Sequence, residues 1–126
     1  MNGNKAILVD TNALIYYFNG NEKVTNAIDG EILYISVITE IELLSFSQLD
    51  EESERQIRYF IDDESCRLIE LISAIKEQTI KIRRRHRIKL PDAIIAATSL
   101  FLEIPLLTFD SGFAKIDGVD LILLDL

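Results

Sequence analysis

Residues 6–15 have the sequence AILVDTNALI, and this stretch decides which fold we expect for the whole chain. Its first four residues, 6–9, are all apolar, which is typical of a strand that is buried on both faces of a sheet. Asp10-Thr-Asn12 ends that strand, and the apolar residues 13–18 then predict a helix that stops at Asn19-Gly20. A buried strand that leads directly into a helix is typical of a parallel sheet.

The same alternation of strands and helices continues to the end of the chain. Apolar runs predict further strands over residues 32–35, 67–71, 105–109 and 119–124. Periodic apolar positions and helix-start signals predict helices over residues 22–29, 37–46, 50–62, 72–86 and 92–102. We therefore expect one α/β domain, residues 1–126, with a parallel sheet between two layers of helices.

The composition limits the kinds of function that the chain can have. Its net charge is −8, which disfavours a protein that binds nucleic acid through phosphate neutralisation alone. The acids are either solvated surface groups or are partly gathered around a divalent cation. The single cysteine, Cys66, excludes an internal disulfide, and with His86 as the only histidine a zinc cluster is excluded too. Without a signal peptide or an apolar run long enough for a membrane, we expect a cytoplasmic protein.

Four acidic residues stand where the ends of parallel strands should meet. Asp10 follows the first strand, and Asp110 follows the fourth. Asp92 begins a later helix, and Glu42 lies in the first two turns of the helix after the second strand. Ligands of open parallel sheets bind beyond the carboxyl ends of the strands, so these carboxylates are candidates for one site. Taken singly, each Asp is explained at least as well by capping a helix or by favouring its positive end.

Glu42 is the acid that capping does not explain. It forms an i, i+4, i+8 row with Ile38 and Phe46, which predicts that its carboxylate lies on a partly apolar stripe. A buried carboxylate is costly unless it is paired or bound to a metal. Glu40 is the competing acid of the same helix, but its row begins at Ser36 and predicts a wetter face. We therefore rank Glu42 above Glu40.

Carboxylates that converge without a basic partner repel one another unless a cation lies between them. Mg²⁺ and Mn²⁺ prefer oxygen ligands, and one or two such ions can activate water for displacement at a phosphate. Neither a Ser-His-Asp nor a Cys-His arrangement offers an alternative, because His86 falls on the apolar face of its helix and is expected in the core. The scattered glycines form no phosphate-binding loop.

One basic stretch interrupts this acidic sequence. Residues 81–89, KIRRRHRIK, hold six of the thirteen lysines and arginines and end three residues before Asp92. An ordinary solvated helix face is one explanation of this stretch. The other is that it attracts phosphate to the acidic site.

The four acids lie in motifs that resemble those of the PIN-domain family. Val9-Asp-Thr-Asn-Ala-Leu-Ile15 resembles the opening motif, and Thr39-Glu-Ile-Glu-Leu43 resembles the second, in which the acid before the leucine is Glu42. Leu90-Pro-Asp-Ala-Ile-Ile-Ala-Ala97 and Leu107-Thr-Phe-Asp-Ser-Gly-Phe113 resemble the third and fourth. Four motifs in the right order along nearly the whole chain are far more specific than a lone Asp-Thr-Asn. The length is similar to that of the free-standing VapC group.

The resemblance to VapC-type PIN domains, toxins of prokaryotic toxin–antitoxin pairs, implies a fold, an activity and partners. The implied fold is a three-layer α/β/α structure with a five-stranded parallel sheet. The implied activity is an RNA endonuclease that depends on Mg²⁺ or Mn²⁺. The implied partners are RNA, a cognate antitoxin that occupies the active-site groove, and a second copy of the chain in a homodimer.

The resemblance also assigns roles to residues. The catalytic and metal-binding acids would be Asp10, Glu42, Asp92 and Asp110. Asn12 and Thr108 match positions that support the site through hydrogen bonds. The charge of the basic stretch, and not the resemblance, predicts that Arg83, Arg84, Arg85 and Arg87 bind RNA. One departure is Glu103-Ile-Pro105, where many relatives carry a glycine before the strand.

Other interpretations compete with this one. A phosphotransferase of the haloacid-dehalogenase type also has an Asp after its first strand, but it needs a second acid where this chain has Asn12. A receiver domain would have its phosphoacceptor at the end of the third strand, where this chain has Ile72-Ser73. The intact set of acids argues against a PIN domain that only binds. A PIN nuclease that processes RNA without being a toxin stays open.

Overall fold

The computed structural model describes residues 5–126 and contains a five-stranded sheet in which all neighbouring strands are parallel. The strands are β1 (Ala6–Val9), β2 (Ile32–Ser36), β3 (Cys66–Ile69), β4 (Leu106–Thr108) and β5 (Leu121–Leu123). The helices are α1 (Thr11–Phe18), α2 (Glu22–Ile28), α3 (Val37–Leu44), α4 (Glu51–Asp62), α5 (Ser73–Arg85) and α6 (Leu90–Leu102), with a short 3₁₀ helix at Ser111–Lys115. None of the helices in this range is long and apolar enough to cross a membrane.

The central position of β1 explains its uninterrupted apolar sequence. Ile7 and Val9 are buried in one core, mainly with α1 to α4, whereas Leu8 is buried in a second core with α5 and α6. Alternate side chains of a strand point to opposite faces, so a strand covered on both faces must be apolar at every position. The predicted α/β/α fold with a five-stranded parallel sheet is therefore confirmed.

The order of the strands, β3-β2-β1-β4-β5, determines where a ligand can bind. The chain proceeds outward from β1 to β3 on one side and returns on the other side at β4, so the order reverses between β1 and β4. Ligands of such sheets bind at this reversal, beyond the carboxyl ends of the strands. A receiver domain has its strands in the order 2-1-3-4-5, so the observed order excludes that interpretation.

The predicted elements all occur, with differences of a few residues at their ends. The expectation for His86 is wrong, because α5 ends at Arg85 and His86 adopts an extended conformation as its C-cap. The side chain of His86 leaves the apolar face of α5 there and is partly exposed. Cys66 begins β3 and is buried, and burial raises the pKa of its thiol to about 11, which leaves it protonated and unreactive.

Glu103 ends α6 in a left-handed conformation, with φ of 55°. This is the position that glycine favours after a helix, because a side chain there is strained against its own backbone. In this chain a glutamate occupies the position and bears the strain.

We predict that Glu103→Gly stabilises the protein by up to about 1 kcal/mol, because it removes the left-handed strain. The matched control is Glu77→Gly in the exposed part of α5, which should destabilise by about 0.5–1 kcal/mol. Urea unfolding of both variants gives the two free energies. Equal losses of stability in both variants would contradict a left-handed Glu103.

Candidate active site

Asp10 lies at the reversal of strand order and is the most buried of the four acids, with 5% of its surface exposed. Its Oδ1 accepts a hydrogen bond from the Ala13 N–H at 2.8 Å, and its Oδ2 accepts one from the Thr108 hydroxyl. Burial, with the negative charges of Asp92 and Asp110, raises its pKa above the ordinary value despite these two hydrogen bonds. Asp10 therefore caps α1 and also presents a carboxylate in a negatively charged site.

Thr108 connects the carboxylates that follow β1 and β4. It is fully buried, and its Oγ1 accepts a hydrogen bond from the Asp110 N–H at 3.0 Å. A hydroxyl group has one proton, which Thr108 donates to Asp10. One side chain thus fixes the orientation of Asp10 relative to the backbone of Asp110.

Asp110 is exposed and caps the 3₁₀ helix that follows β4. Its Oδ1 accepts a hydrogen bond from the Gly112 N–H at 2.8 Å. A Cβ atom on Gly112 would lie 3.0 Å from that same oxygen, so any larger residue would press against the carboxylate. The glycine therefore allows Asp110 to keep this orientation.

Asp92 lies half-buried in the first turn of α6, where it forms no capping hydrogen bond. Burial raises its pKa, as do the negative charges of Asp110 and Glu42, and Lys89 acts in the opposite direction. An acid that only stabilised the start of a helix would be expected to have a lowered pKa. The surroundings of Asp92 instead disfavour its ionised form.

The surroundings of Glu42 differ from those that the sequence predicts. It is exposed, and Phe46 lies beyond the end of α3 with 62% of its surface exposed, so the predicted apolar stripe is wrong. The buried row of α3 consists of Thr39 and Leu43 instead. Glu42 Oε1 accepts a 2.6 Å hydrogen bond from the Thr11 hydroxyl, and its charge acts on Asp92.

Glu40 is less exposed than Glu42, so its face of α3 is not the wetter one. What distinguishes the two glutamates is position: only Glu42 influences the pKa of Asp92. Asn12 is exposed in the first turn of α1, and in the described part of the chain no hydrogen bond joins its side chain to the four acids. Its supporting role stays a prediction.

Basic side chains border the acids. A cleft of about 250 Å³ is lined by Asp92, Asp110 and three cationic side chains, those of Arg87, Lys89 and Lys115. The Lys115 Nζ also donates a 2.6 Å hydrogen bond to the Arg87 carbonyl oxygen. Sequence reasoning missed Lys115, because it lies in the 3₁₀ helix and only the fold brings it beside the basic stretch.

The four arginines predicted to bind RNA do not share one surface. Arg83 and Arg84 line a depression next to the cleft, together with Arg87. Arg85 lines a separate depression with Asp117. The structure therefore places Arg87 beside the acids, Arg83 and Arg84 farther along the same side, and Arg85 elsewhere.

The carboxylates offer only oxygen atoms to a cation. Within residues 5–126, no three acidic, histidine or cysteine side chains lie close enough to enclose an ion as they stand. Mg²⁺ retains several waters and is held by one or two carboxylates together with substrate phosphates, so an open set of oxygen ligands suits it. The oxygen donors fit Mg²⁺ or Mn²⁺, and their open arrangement does not fit a closed zinc or calcium cage.

A larger groove, of about 1150 Å³, contains none of the four acids. It lies between α1, α2 and α4, near the amino ends of β2 and β3. Size alone would place the active site there, but the carboxylates and the reversal of strand order place it at the opposite edge of the sheet.

Comparison with known proteins identifies relatives. Residues 7–119 match the PIN domain family. No curated protein sequence gives a match. A chain of the toxin–antitoxin complex from Klebsiella pneumoniae is 31% identical, with a TM-score of 0.77 over 90% of this chain and 94% of that chain. A chain of VapBC2 from Rickettsia felis, bound to a promoter DNA fragment, has a TM-score of 0.82 at 20% identity, over 95% and 99%. A chain of VapBC-1 from nontypeable Haemophilus influenzae has a TM-score of 0.74 at 24% identity, over 94% and 97%.

The chain belongs to the PIN-domain family, as the four motifs predict. The likeness to the VapBC structures confirms the expected fold, and the more similar Klebsiella chain comes from a toxin–antitoxin complex. PIN domains are nucleases, so the chain is assigned to the nucleases among the hydrolases. The phosphotransferase interpretation is thereby set aside.

We predict that Asp92→Asn raises the melting temperature at neutral pH in EDTA. The folded-state pKa of Asp92 is raised, so folding favours the protonated form of its carboxyl group. The stability that this group contributes is therefore fully present below its unfolded-state pKa, and it is lost as the pH rises through the folded-state pKa. The gain in the variant should therefore disappear below about pH 4. Thermal unfolding across this pH range measures it.

Asp50→Asn is the control, because Asp50 is an exposed helix cap whose pKa is lowered by hydrogen bonds from Ser53. Its ionised form stabilises the fold, so Asp50→Asn should lower the melting temperature at neutral pH. If Asp92→Asn lowers it in the same way, Asp92 is a structural acid.

Proposed function

We propose that this chain is the toxin ribonuclease of a type II toxin–antitoxin pair and hydrolyses RNA phosphodiester bonds with Mg²⁺ or Mn²⁺. The observation that carries the proposal is Asp10, a buried carboxylate whose pKa is raised by burial and by Asp92 and Asp110. A cation beside this group would favour its ionised form and offset the repulsion from the neighbouring carboxylates. Membership of the PIN-domain family supports the same conclusion.

In this proposal the ion would be held by Asp10, Glu42, Asp92 and Asp110. A bound ion supplies an activated water and neutralises charge that develops on the phosphate. Asp10 is oriented in advance by Ala13 and Thr108, and Asp110 by Gly112, so these two of the four ligands already have fixed orientations before an ion arrives.

The cations of the cleft would bring the substrate to these acids. Arg87, Lys89 and Lys115 present positive charge beside Asp92 and Asp110 in a chain whose net charge is −8. Phosphate groups of RNA are attracted to such a local concentration of charge. The proposal therefore places the RNA backbone across this cleft, with Arg83 and Arg84 extending the path.

The toxin role rests on the likeness to chains of toxin–antitoxin complexes. It adds a cognate antitoxin, a homodimer and a cytoplasmic location to the proposal. A PIN nuclease of RNA processing would have the same site and no antitoxin. Expression of the chain should arrest growth, and co-expression with the protein of the adjacent reading frame should relieve the arrest. Growth arrest that no neighbouring gene relieves would favour the processing role.

We predict that the purified protein cleaves RNA with Mg²⁺ or Mn²⁺ and stops when EDTA is added. Asp92→Asn should lose most of this activity, because it removes the charge of a metal ligand. Glu42→Gln should reduce the rate more than Glu40→Gln does, because only Glu42 acts on Asp92. The measurement is the initial rate of cleavage of a labelled RNA.

Two outcomes would contradict the proposal. Cleavage that persists in excess EDTA would exclude a metal-dependent mechanism. A greater loss in Glu40→Gln than in Glu42→Gln would mean that the metal ligand on α3 is Glu40.

We predict that Arg87→Ala weakens RNA binding and lowers its salt dependence, with a change of about 0.7 in the slope of log K against log salt. Arg85→Ala should change both less, because Arg85 lines a different depression. Lys76→Ala, at the other end of α5, removes the same charge far from the acids. Fluorescence anisotropy with Asp92→Asn protein measures binding without cleavage. Equal effects of all three substitutions would show that only net charge matters.

A further inference from the structure

We propose that Thr39 and Thr11 form a hydroxyl relay that positions the Glu42 carboxylate in the active site. Thr39 would act as a positioning residue on an acid that it does not touch. The inference rests on the proposed function, in which Glu42 is a metal ligand.

The direction of the relay follows from the number of protons. Thr11 Oγ1 lies 2.6 Å from Glu42 Oε1 and 3.1 Å from Thr39 Oγ1. An ionised carboxylate only accepts hydrogen bonds, so the single hydroxyl proton of Thr11 goes to Glu42. The second contact then exists only if Thr39 donates its own proton to Thr11. The hydrogen bonds therefore run from Thr39 to Thr11 to Glu42.

The relay fixes a side chain that would otherwise be mobile. Glu42 is exposed on α3, and a long exposed side chain loses conformational entropy when it binds an ion. Thr39, by contrast, is fully buried and β-branched, so its rotamer is restricted by packing. Holding Thr11 from this rigid position reduces the number of conformations that Glu42 can adopt before an ion binds.

The relay also connects two of the proposed ligands through one helix. Asp10 caps α1 with its side chain, and Thr11 is the first residue of the same helix. α1 therefore sets the place of Asp10 directly and the place of Glu42 through the Thr11 hydroxyl.

The test is the Mn²⁺ affinity of the whole protein, measured by calorimetric titration alongside the rate of RNA cleavage. Thr39→Val keeps the shape of the side chain and removes the donor, so Mn²⁺ affinity should fall by about tenfold. Thr39→Ser keeps the hydroxyl and should retain nearly full affinity. Thr79→Val is the matched control, because Thr79 is also buried but its hydroxyl bonds only to its own helix at Ile75.

A double-mutant cycle with Glu42→Gln separates positioning from packing. If Thr39 acts through Glu42, Thr39→Val should cause no further loss of Mn²⁺ affinity in the Glu42→Gln background. An equal loss in both backgrounds would overturn the relay. Thr11→Val, at a partly exposed helix start, gives a second variant should Thr39→Val fold poorly, and it should lose at least as much affinity.

The failures of the two proposals differ in this experiment. If Glu42→Gln leaves both Mn²⁺ affinity and cleavage unchanged, the role of Glu42 in the proposed function is wrong and the relay is wrong with it. If Glu42→Gln weakens binding but Thr39→Val and Thr11→Val do not, the relay alone is overturned.

Discussion

The hydrogen bond from Thr108 to Asp10 joins the ends of β1 and β4, where the strand order reverses. The register pairs Val9 with Leu107, so the residues that follow them, Asp10 and Thr108, lie side by side. Burial of Asp10 between these strands is tolerated because two protein groups donate to its oxygens. Two of the other acids are arranged around this one: Asp110 through the Thr108 hydroxyl, and Asp92 through its charge. The site is thus a consequence of how the two halves of the sheet meet.

The features that carry a local signal could be predicted from the sequence. Uninterrupted apolar runs located the strands, and Asp10 and Asp110 follow from the rule that parallel strands end at one edge. The exposure of Glu42 could not be predicted, because α3 is too short for Phe46 to extend its face and packs through Thr39 instead. Two contacts bring together distant parts of the chain: that of Lys115 with Arg87, and that of Thr11 with Thr39. Neither contact could be predicted from the periodicity of the sequence.

Charge is distributed unevenly over this protein in a way that the net value of −8 conceals. The cations of the cleft come from two separate elements, the segment before α6 and the 3₁₀ helix, and Lys115 bonds to the backbone of Arg87. Each of these cationic side chains lies beside the carboxylates, and none of them forms an ion pair within the residues described. A strongly acidic protein can therefore present a positive rim to a polyanion, because screening limits the influence of distant acids to about 10 Å.

The double role of Asp10, as the cap of α1 and as a buried member of the site, has a consequence for how the activity can be lost through mutation. A change at Asp92, which caps nothing, leaves the helices intact and would yield an abundant, inactive protein. A change at Asp10 removes a helix cap as well, and a protein with lower stability is cleared faster by cellular proteases. Inactivating mutations should therefore fall into two classes. Mutations of the first class leave a folded, inactive protein that still binds its partners. Mutations of the second class lower the amount of the protein in the cell.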